Sequence, residues 1–349
     1  MARPIAATGR VPDDRHVTAA DRATLLELHP DRLFPVEPTV RAIARELYDA
    51  VAELPLICPH GHVDPRRLAF DEPFEDPASL LVTSDHYVTR LLHASGIPLD
   101  ELGVGAEALS EDRARGIWRL FCGNWDVYRG TAVRYWLECQ LVDLFGVTVR
   151  PSLATADAIY DLVRECLGAD AFRPRALYAR FGVEVLATTD DPCDDLGAHE
   201  VLADDPSWTG RVIPTFRPDR YLEPGQPGWA GVIAELAEAS GIDTGDYAGY
   251  IDALEQRRQH FTAHGATAAD HAHADARTDP LDLGDAKRIY RASVAGTATA
   301  AETVAFRRHM VLEMARMSCD DGLVMTLHPG VVRGHHGPTA GFGVSAHLA

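Results

Sequence analysis

The chain has 349 residues, of which 46% are hydrophobic and 24% charged; this is the balance of a folded, enzyme-sized body and argues against collagen, coiled coil and disorder. Its formal net charge of -19, from 33 basic and 52 acidic side chains, repels a polyphosphate backbone, and no basic stripe with interleaved aromatics counters it, so nucleic acid is not an expected partner. An anionic small substrate would meet the same repulsion and needs an arginine placed locally in its pocket.

Six cysteines, at 58, 122, 139, 166, 193 and 319, form no CxxC pair, a pattern that fits reduced thiols better than a disulfide framework or zinc knuckle. Residues 1–30 hold no signal-peptide apolar core, and no apolar run is long enough to span a bilayer. The expectation is a soluble cytoplasmic protein with no membrane partner; a homo-oligomer is compatible with the sequence and not decided by it.

After a polar lead-in over residues 1–34, Pro38 and Thr39 open an amphipathic stretch in which Val40, Ile43, Leu47 and Val51 recur at helical spacing. It leads to LPLIC (54–58), a short apolar run closed by Pro59, His60, Gly61 and His62, as expected for a buried strand meeting a loop. Residues 35–62 thus form a first helix and strand. Residues 63–180 read as a mainly helical insertion, with amphipathic stretches at 86–96, 112–123, 131–146 and 156–168, several ending in Gly. From 181 to 349 the pattern changes to short β-like runs at 183–189, 211–216, 265–270 and 322–328, alternating with helical stretches such as 246–264 and 299–318, which argues for a parallel sheet. An open doubly wound sheet lacks its GxGxxG here. Polar residues cluster instead after several different strands, as a (β/α) barrel needs, because its active site collects side chains from many strand ends.

Those clusters carry the candidate chemistry. His60 and His62, alternate residues at a strand end, can face one ion, with Gly61 leaving the backbone room. A bare HxH in a chain with 16 histidines is otherwise no more than a solvated loop. Ser84, Asp85, His86 and Tyr87 precede a helix, where Ser84 or Asp85 caps and Tyr87 packs, unless Tyr87 serves a ligand. Asp190 and Asp191, before Pro192, are either turn formers or paired carboxylates for acid-base or metal chemistry. Arg217 closes another strand and can present a guanidinium to a carboxylate; the plainer reading is an Arg-Asp surface pair with Asp219. Asp270, His271 and His328 stand where a barrel mouth would hold ligands or proton carriers.

The order HGH, SDHYVTR, a helix pair around Gly130, Thr131 and Trp136, then TTDDP, PTFRPD, AADH and LHPGVVR is similar to the uronate (glucuronate) isomerases, over about residues 35–340. The resemblance implies a distorted (β/α)8 TIM-like barrel of the amidohydrolase type. It implies interconversion of D-glucuronate with D-fructuronate, and D-galacturonate with D-tagaturonate, through a cis-enediol. It makes His60 and His62 metal ligands, with Zn2+ the expected metal, and puts Tyr87, Asp270, His271 and His328 in the catalytic set, His271 or His328 being a further ligand. Arg217, Asp190, Asp191 and Arg333 would face the uronate.

The chain departs from that pattern in one respect. The family continues through two further strands to an SDSR-like segment holding the leading candidate base, and no such segment occurs in residues 1–349; Gly343 also stands where Asp is frequent. The expectation is a barrel incomplete at its C-terminal end, with little turnover by the chain alone. Two alternatives stay open: a metal-dependent hydrolase of the same superfamily, since HxH is widely shared, and a non-catalytic sugar-acid-binding remnant.

Overall fold

The structure is a computed structural model that describes residues 25–330; Arg333 and Gly343 lie outside the described residues. In chain order come helix α1 (Pro38–Asp49), strand β1 (Leu56–Cys58), α2 (Pro65–Phe70), α3 (His86–Ala94), α4 (Glu111–Gly123), α5 (Ala132–Cys139), α6 (Ala156–Leu167) and α7 (Pro174–Arg180). They are followed by β2 (Val183–Ala187), α8 (Gly197–Asp204), β3 (Arg211–Ile213), α9 (Trp229–Ser240) and α10 (Tyr247–Ala263). The last are β4 (Ala268–His271), α11 (Leu283–Val294), α12 (Ala300–Asp321) and β5 (Val324–Leu327). This is an α/β chain, and each β-like run of the sequence holds a strand. The chain divides into two compact units.

One unit takes in residues up to 56 and 71–182 and is helical, as the amphipathic spacing requires. Asp85 caps α3 by accepting from the Tyr87 amide. Ser110 caps α4 at the Arg113 amide, with Glu111 and Asp112 in its positive first turn. Trp118, Phe121, Tyr128, Ile159 and Tyr160 are buried together. Their polar tips are satisfied: Trp118 Nε1 donates to the Ala156 carbonyl at 3.0 Å and the Tyr128 hydroxyl to that of Val88 at 3.2 Å. The stretch 131–146 is not one α-helix, since α5 passes into a π-helical turn at Gln140–Leu144. Helix α1 forms where its periodicity puts it, capped by Glu37, yet it buries none of its residues. Val40, Ile43, Leu47 and Val51 are exposed, because an apolar stripe fixes the helical period while burial needs a neighbour laid against it.

Among the described residues the other unit takes in 57–70 and 183–330. Its strands form a three-stranded sheet ordered β1-β2-β3 and a two-stranded sheet β4-β5; β2 pairs with β3, and β4 with β5, in parallel. Single parallel bridges, Asp190 to Phe216 and Phe216 to Ala269, link the two. The run 211–216 is therefore shorter as a strand than its composition suggests. Pro214 has no N–H for the ladder, and pairing resumes only at Phe216, whose amide donates to Ala268 and whose carbonyl accepts from the Asp270 amide at 2.9 Å. The expected buried strand at 54–58 forms but is not buried: Leu56 and Ile57 are exposed, as is Val324 of β5. An apolar run records that a strand is suited to cover, and among the described residues none covers these.

Helices α9 to α12 make this unit's core, where Trp229, Tyr250, Tyr290 and Phe306 pack ring against ring. Helix α12 opens on a capping box, Thr299 with Glu302, and ends at Gly322, whose φ of 80° suits an αL C-cap.

Candidate metal centre at the strand ends

Gly61 shows why the turn after β1 has the sequence it has. A Cβ there would sit 3.0 Å from the Ala187 carbonyl oxygen, too close for a side chain without displacing β2. The Gly61 carbonyl accepts from the Thr189 hydroxyl at 2.8 Å. The loop that presents His60 is thus pinned against the end of β2.

His60, Asp270 and His328, from the ends of β1, β4 and β5, each offer a ligand atom, and the three atoms lie within 4.8 Å of one another. Asp270 is fully buried while both histidines are exposed. Asp270 Oδ1 accepts from the Thr326 hydroxyl at 2.8 Å and meets His328 Nε2 at 2.5 Å. Its Oδ2 has Arg217 Nη1 at 3.3 Å. Burial pushes the Asp270 carboxyl up, but the Thr326 hydroxyl, the Arg217 guanidinium and the imidazoles of His328 and His60 outweigh it and hold the group below the usual carboxylate range. The carboxylate is therefore ionised at neutral pH.

Two imidazoles and one carboxylate suit a divalent cation of the zinc or manganese kind. Donors about 2.1 Å from a tetrahedral ion lie about 3.4 Å apart, so the spacing here closes with small side-chain rotations. The three residues could hold a divalent metal ion.

The other candidates fall around this cluster or away from it. The His62 ring packs edge-on against His60, centroids 4.9 Å apart. His271 follows Asp270 on β4, so by strand alternation it faces the other way. It is fully buried, its Nδ1 is 3.2 Å from the Thr326 carbonyl, and burial brings its pKa down to about 4. Arg217 pairs with Asp219 as the plainer reading of the sequence had it, Nε to Oδ2 at 2.9 Å, and reaches Asp270 as well. Asp191 pairs with Arg220 at 2.8 Å and accepts from the Tyr221 hydroxyl at 2.5 Å. Tyr87, in the helical unit, stacks edge-on with Trp136 at 5.7 Å under the Arg90 guanidinium. Asp219, not singled out for a role of its own, anchors Arg217; its signal in the sequence was the Arg-Pro-Asp spacing.

Asp190 is buried, with Oδ2 accepting from the Thr188 hydroxyl at 2.6 Å and the Thr215 amide at 3.1 Å. Burial dominates and pushes its carboxyl up to about 6. A folded pKa above the unfolded one means the folded chain binds more protons between about pH 4 and 6, so this group's contribution to stability declines as pH rises through that window. The decline amounts to about 3 kcal/mol. Urea denaturation of Asp190→Asn should therefore gain on wild type as pH rises from 4 to 7; parallel curves would refute it.

The fold and site define an α/β protein whose parallel strand ends gather two histidines and a buried aspartate able to take a divalent cation. The family model described as glucuronate isomerase matches residues 39–341. The chain is 50% identical over 310 residues to a uronate isomerase of Cutibacterium acnes, covering 89% of this chain and 66% of the relative. It superposes on the crystal structure of glucuronate isomerase from Caulobacter crescentus with a TM-score of 0.87 and 39% identity, covering 90% of this chain and 66% of that one. For the uronate isomerase of Thermotoga maritima the TM-score is 0.81 at 25% identity, covering 89% and 66%. The chain belongs to the glucuronate isomerase family, and it spans about two thirds of the length of these relatives.

Proposed function

We propose that this protein acts in the interconversion of a hexuronate aldose with its ketose, D-glucuronate with D-fructuronate and D-galacturonate with D-tagaturonate. The observation that carries the reading is the cluster His60, Asp270 and His328 with Arg217 against it. A cation site and a guanidinium side by side are what an enzyme needs to hold an anionic sugar despite a net charge of -19. Zn2+ is the metal we assign, with His62 beside His60 as a further ligand; such an ion supplies stabilisation of the oxyanion that develops as the carbonyl is enolised.

The chain's own residues divide the remaining tasks. Isomerisation removes the proton from C2, returns a proton to C1 and moves the hydroxyl proton from O2 to O1 through a cis-enediol. Arg217 holds the substrate carboxylate and so fixes which carbon faces the acid-base groups. Asp270 and His328, which with His60 would hold the cation, border the place where the sugar's C1 and C2 oxygens would lie. The family resemblance further assigns Tyr87 to hydrogen-bond the sugar and Asp190, Asp191 and Arg333 to face the uronate, while His271, on the other face of β4 from Asp270, backs the cluster. The same reading includes a (β/α)8 barrel of the amidohydrolase type with residues 63–180 as its helical insertion, supported by the parallel pairing of β2 with β3 and β4 with β5. A cytoplasmic location is supported by six thiols none of which is paired.

The test is D-glucuronate in D2O with Zn2+. It is run on the chain alone and on the chain fused to the part of the Cutibacterium acnes relative that the match leaves out. D-fructuronate forming with deuterium at C1, both lost in Asp270→Asn, is the expected result. Neither product from either protein with the cation bound would overturn the reading.

A further inference from the structure

The two oxygens of Asp270 are treated differently. Oδ1 is taken up by Thr326 and His328. Oδ2 is buried and makes no hydrogen bond among the described residues; Arg217 Nη1 stands 3.3 Å from it without the alignment of a donor. Arg217 is held elsewhere: its Nε donates to Asp219 Oδ2 at 2.9 Å. Asp219 is in turn fixed by the Ala272 amide, which donates to Oδ1 at 2.8 Å. The arginine's backbone is fixed too, its amide donating to the Asp190 carbonyl at 3.1 Å. One edge of the guanidinium is anchored, while the other rests against a carboxylate oxygen by charge alone.

We propose that Arg217 is the counter-ion that an arriving cation displaces from Asp270, that the released Nη edge then takes the carboxylate of the sugar acid, and that Asp219 is the positioning residue on which it turns. The proposal rests on the cation-site reading above. Cation and guanidinium compete for the same oxygen, so Arg217 weakens cation binding in the absence of substrate. A carboxylate ligand that draws Arg217 away removes the competition, and metal and sugar acid each tighten the other's binding by the same factor. Asp219 takes a share of the guanidinium's charge; without its own charge, Arg217 bears more heavily on Asp270.

Isothermal titration of the 349-residue chain with Zn2+, with and without D-glucuronate, tests this directly. Arg217→Met should bind Zn2+ about tenfold more tightly than wild type, a modest share of the effect of a unit charge at this distance. Asp219→Asn should bind it several-fold more weakly. The double variant should match Arg217→Met, because Asp219 acts only through Arg217; a merely structural Asp219 would weaken the double variant too, and that result overturns its role. Saturating D-glucuronate should tighten Zn2+ in wild type about tenfold and leave Arg217→Met unmoved. Zn2+ binding indifferent to Arg217, or weaker in a folded Arg217→Met, would overturn the proposal alone. A wild-type chain that takes up no Zn2+ would overturn the cation-site reading and the proposal with it.

Discussion

Asp270→Asn should abolish specific cation binding, with Zn2+ affinity falling at least about a hundredfold. Changes outside the ligand shell alone cost ten- to a hundredfold, and this substitution removes the only anionic ligand of the cluster. The amide that replaces it is nearly the same shape and can still accept from the Thr326 hydroxyl, so the fold survives. What is lost is charge: a cation would then face two imidazoles with the Arg217 guanidinium close by and no carboxylate of its own. Competition of the chain and its variant for Zn2+ against a chromophoric chelator measures the difference. An affinity within threefold of wild type would show that the ion, if bound, is held elsewhere. The pH dependence has a defined sign. Because the Asp270 carboxyl is held below the usual range, its ionised form persists at mildly acid pH, and acid loss of the metal should not begin with protonation of this carboxylate.

Asp321→Ala should destabilise the strand-bearing unit by about 3–5 kcal/mol, the usual cost of removing one partner from a buried ion pair. Arg258 is 1% exposed. Its guanidinium is held by Asp321, Nε to Oδ2 at 2.6 Å and Nη2 to Oδ1 at 3.0 Å, with the Ser318 hydroxyl on Nη2 at 3.0 Å. An arginine cannot escape burial by losing its proton, so truncating Asp321 leaves a desolvated positive charge in place. The same aspartate accepts from the Leu323 amide at 3.0 Å and so also secures the turn from α12 into β5. Arg258→Met should cost less, since the Asp321 that remains is partly exposed, and the double variant should recover part of the loss of Asp321→Ala. Equilibrium urea unfolding followed by near-ultraviolet circular dichroism checks all three; a loss below about 1 kcal/mol for Asp321→Ala would place the pair among the weak surface bridges. The effect should reach the candidate site, because the Arg258 guanidinium lies 5.4 Å from the Phe216 ring centroid, and the Phe216 carbonyl accepts the Asp270 amide.

The strand positions were legible in the sequence because each short apolar run meets a turn signal: β1, β2, β3 and β5 fall inside the runs so marked, and β4 overruns its own by one residue, His271. Their limits were less so: Pro214 cuts β3 short, and the bridge through Phe216 is a tertiary pairing that no local pattern announces. Helices α9 and α11 carry patterns as good as those of α10 and α12, yet α9 follows Pro227 and Gly228, and those breakers mask a helix start. Exposure was the least legible property. The stripe Val40, Ile43, Leu47, Val51 gave α1 its helix and said nothing of what would lie against it.

At the site, the separation of Asp270 from His271 follows from strand alternation, a rule available from sequence once β4 is placed. That His328 joins His60 and Asp270 depends on β5 lying beside β4 in register, His271 opposite Leu327, and register is set by long-range pairing. The double engagement of Arg217 with Asp219 and Asp270 is of the same kind: Arg-Pro-Asp spacing suggests the first contact, and only the fold brings the second.

Crystals of the chain grown with Zn2+ and measured at the zinc absorption edge test the account most directly. It predicts one strong anomalous peak about 2.0–2.2 Å from a His60 nitrogen, an Asp270 oxygen and a His328 nitrogen, with Arg217 moved off Asp270. Zinc bound only at other residues, with the His328 to Asp270 hydrogen bond intact, would contradict it.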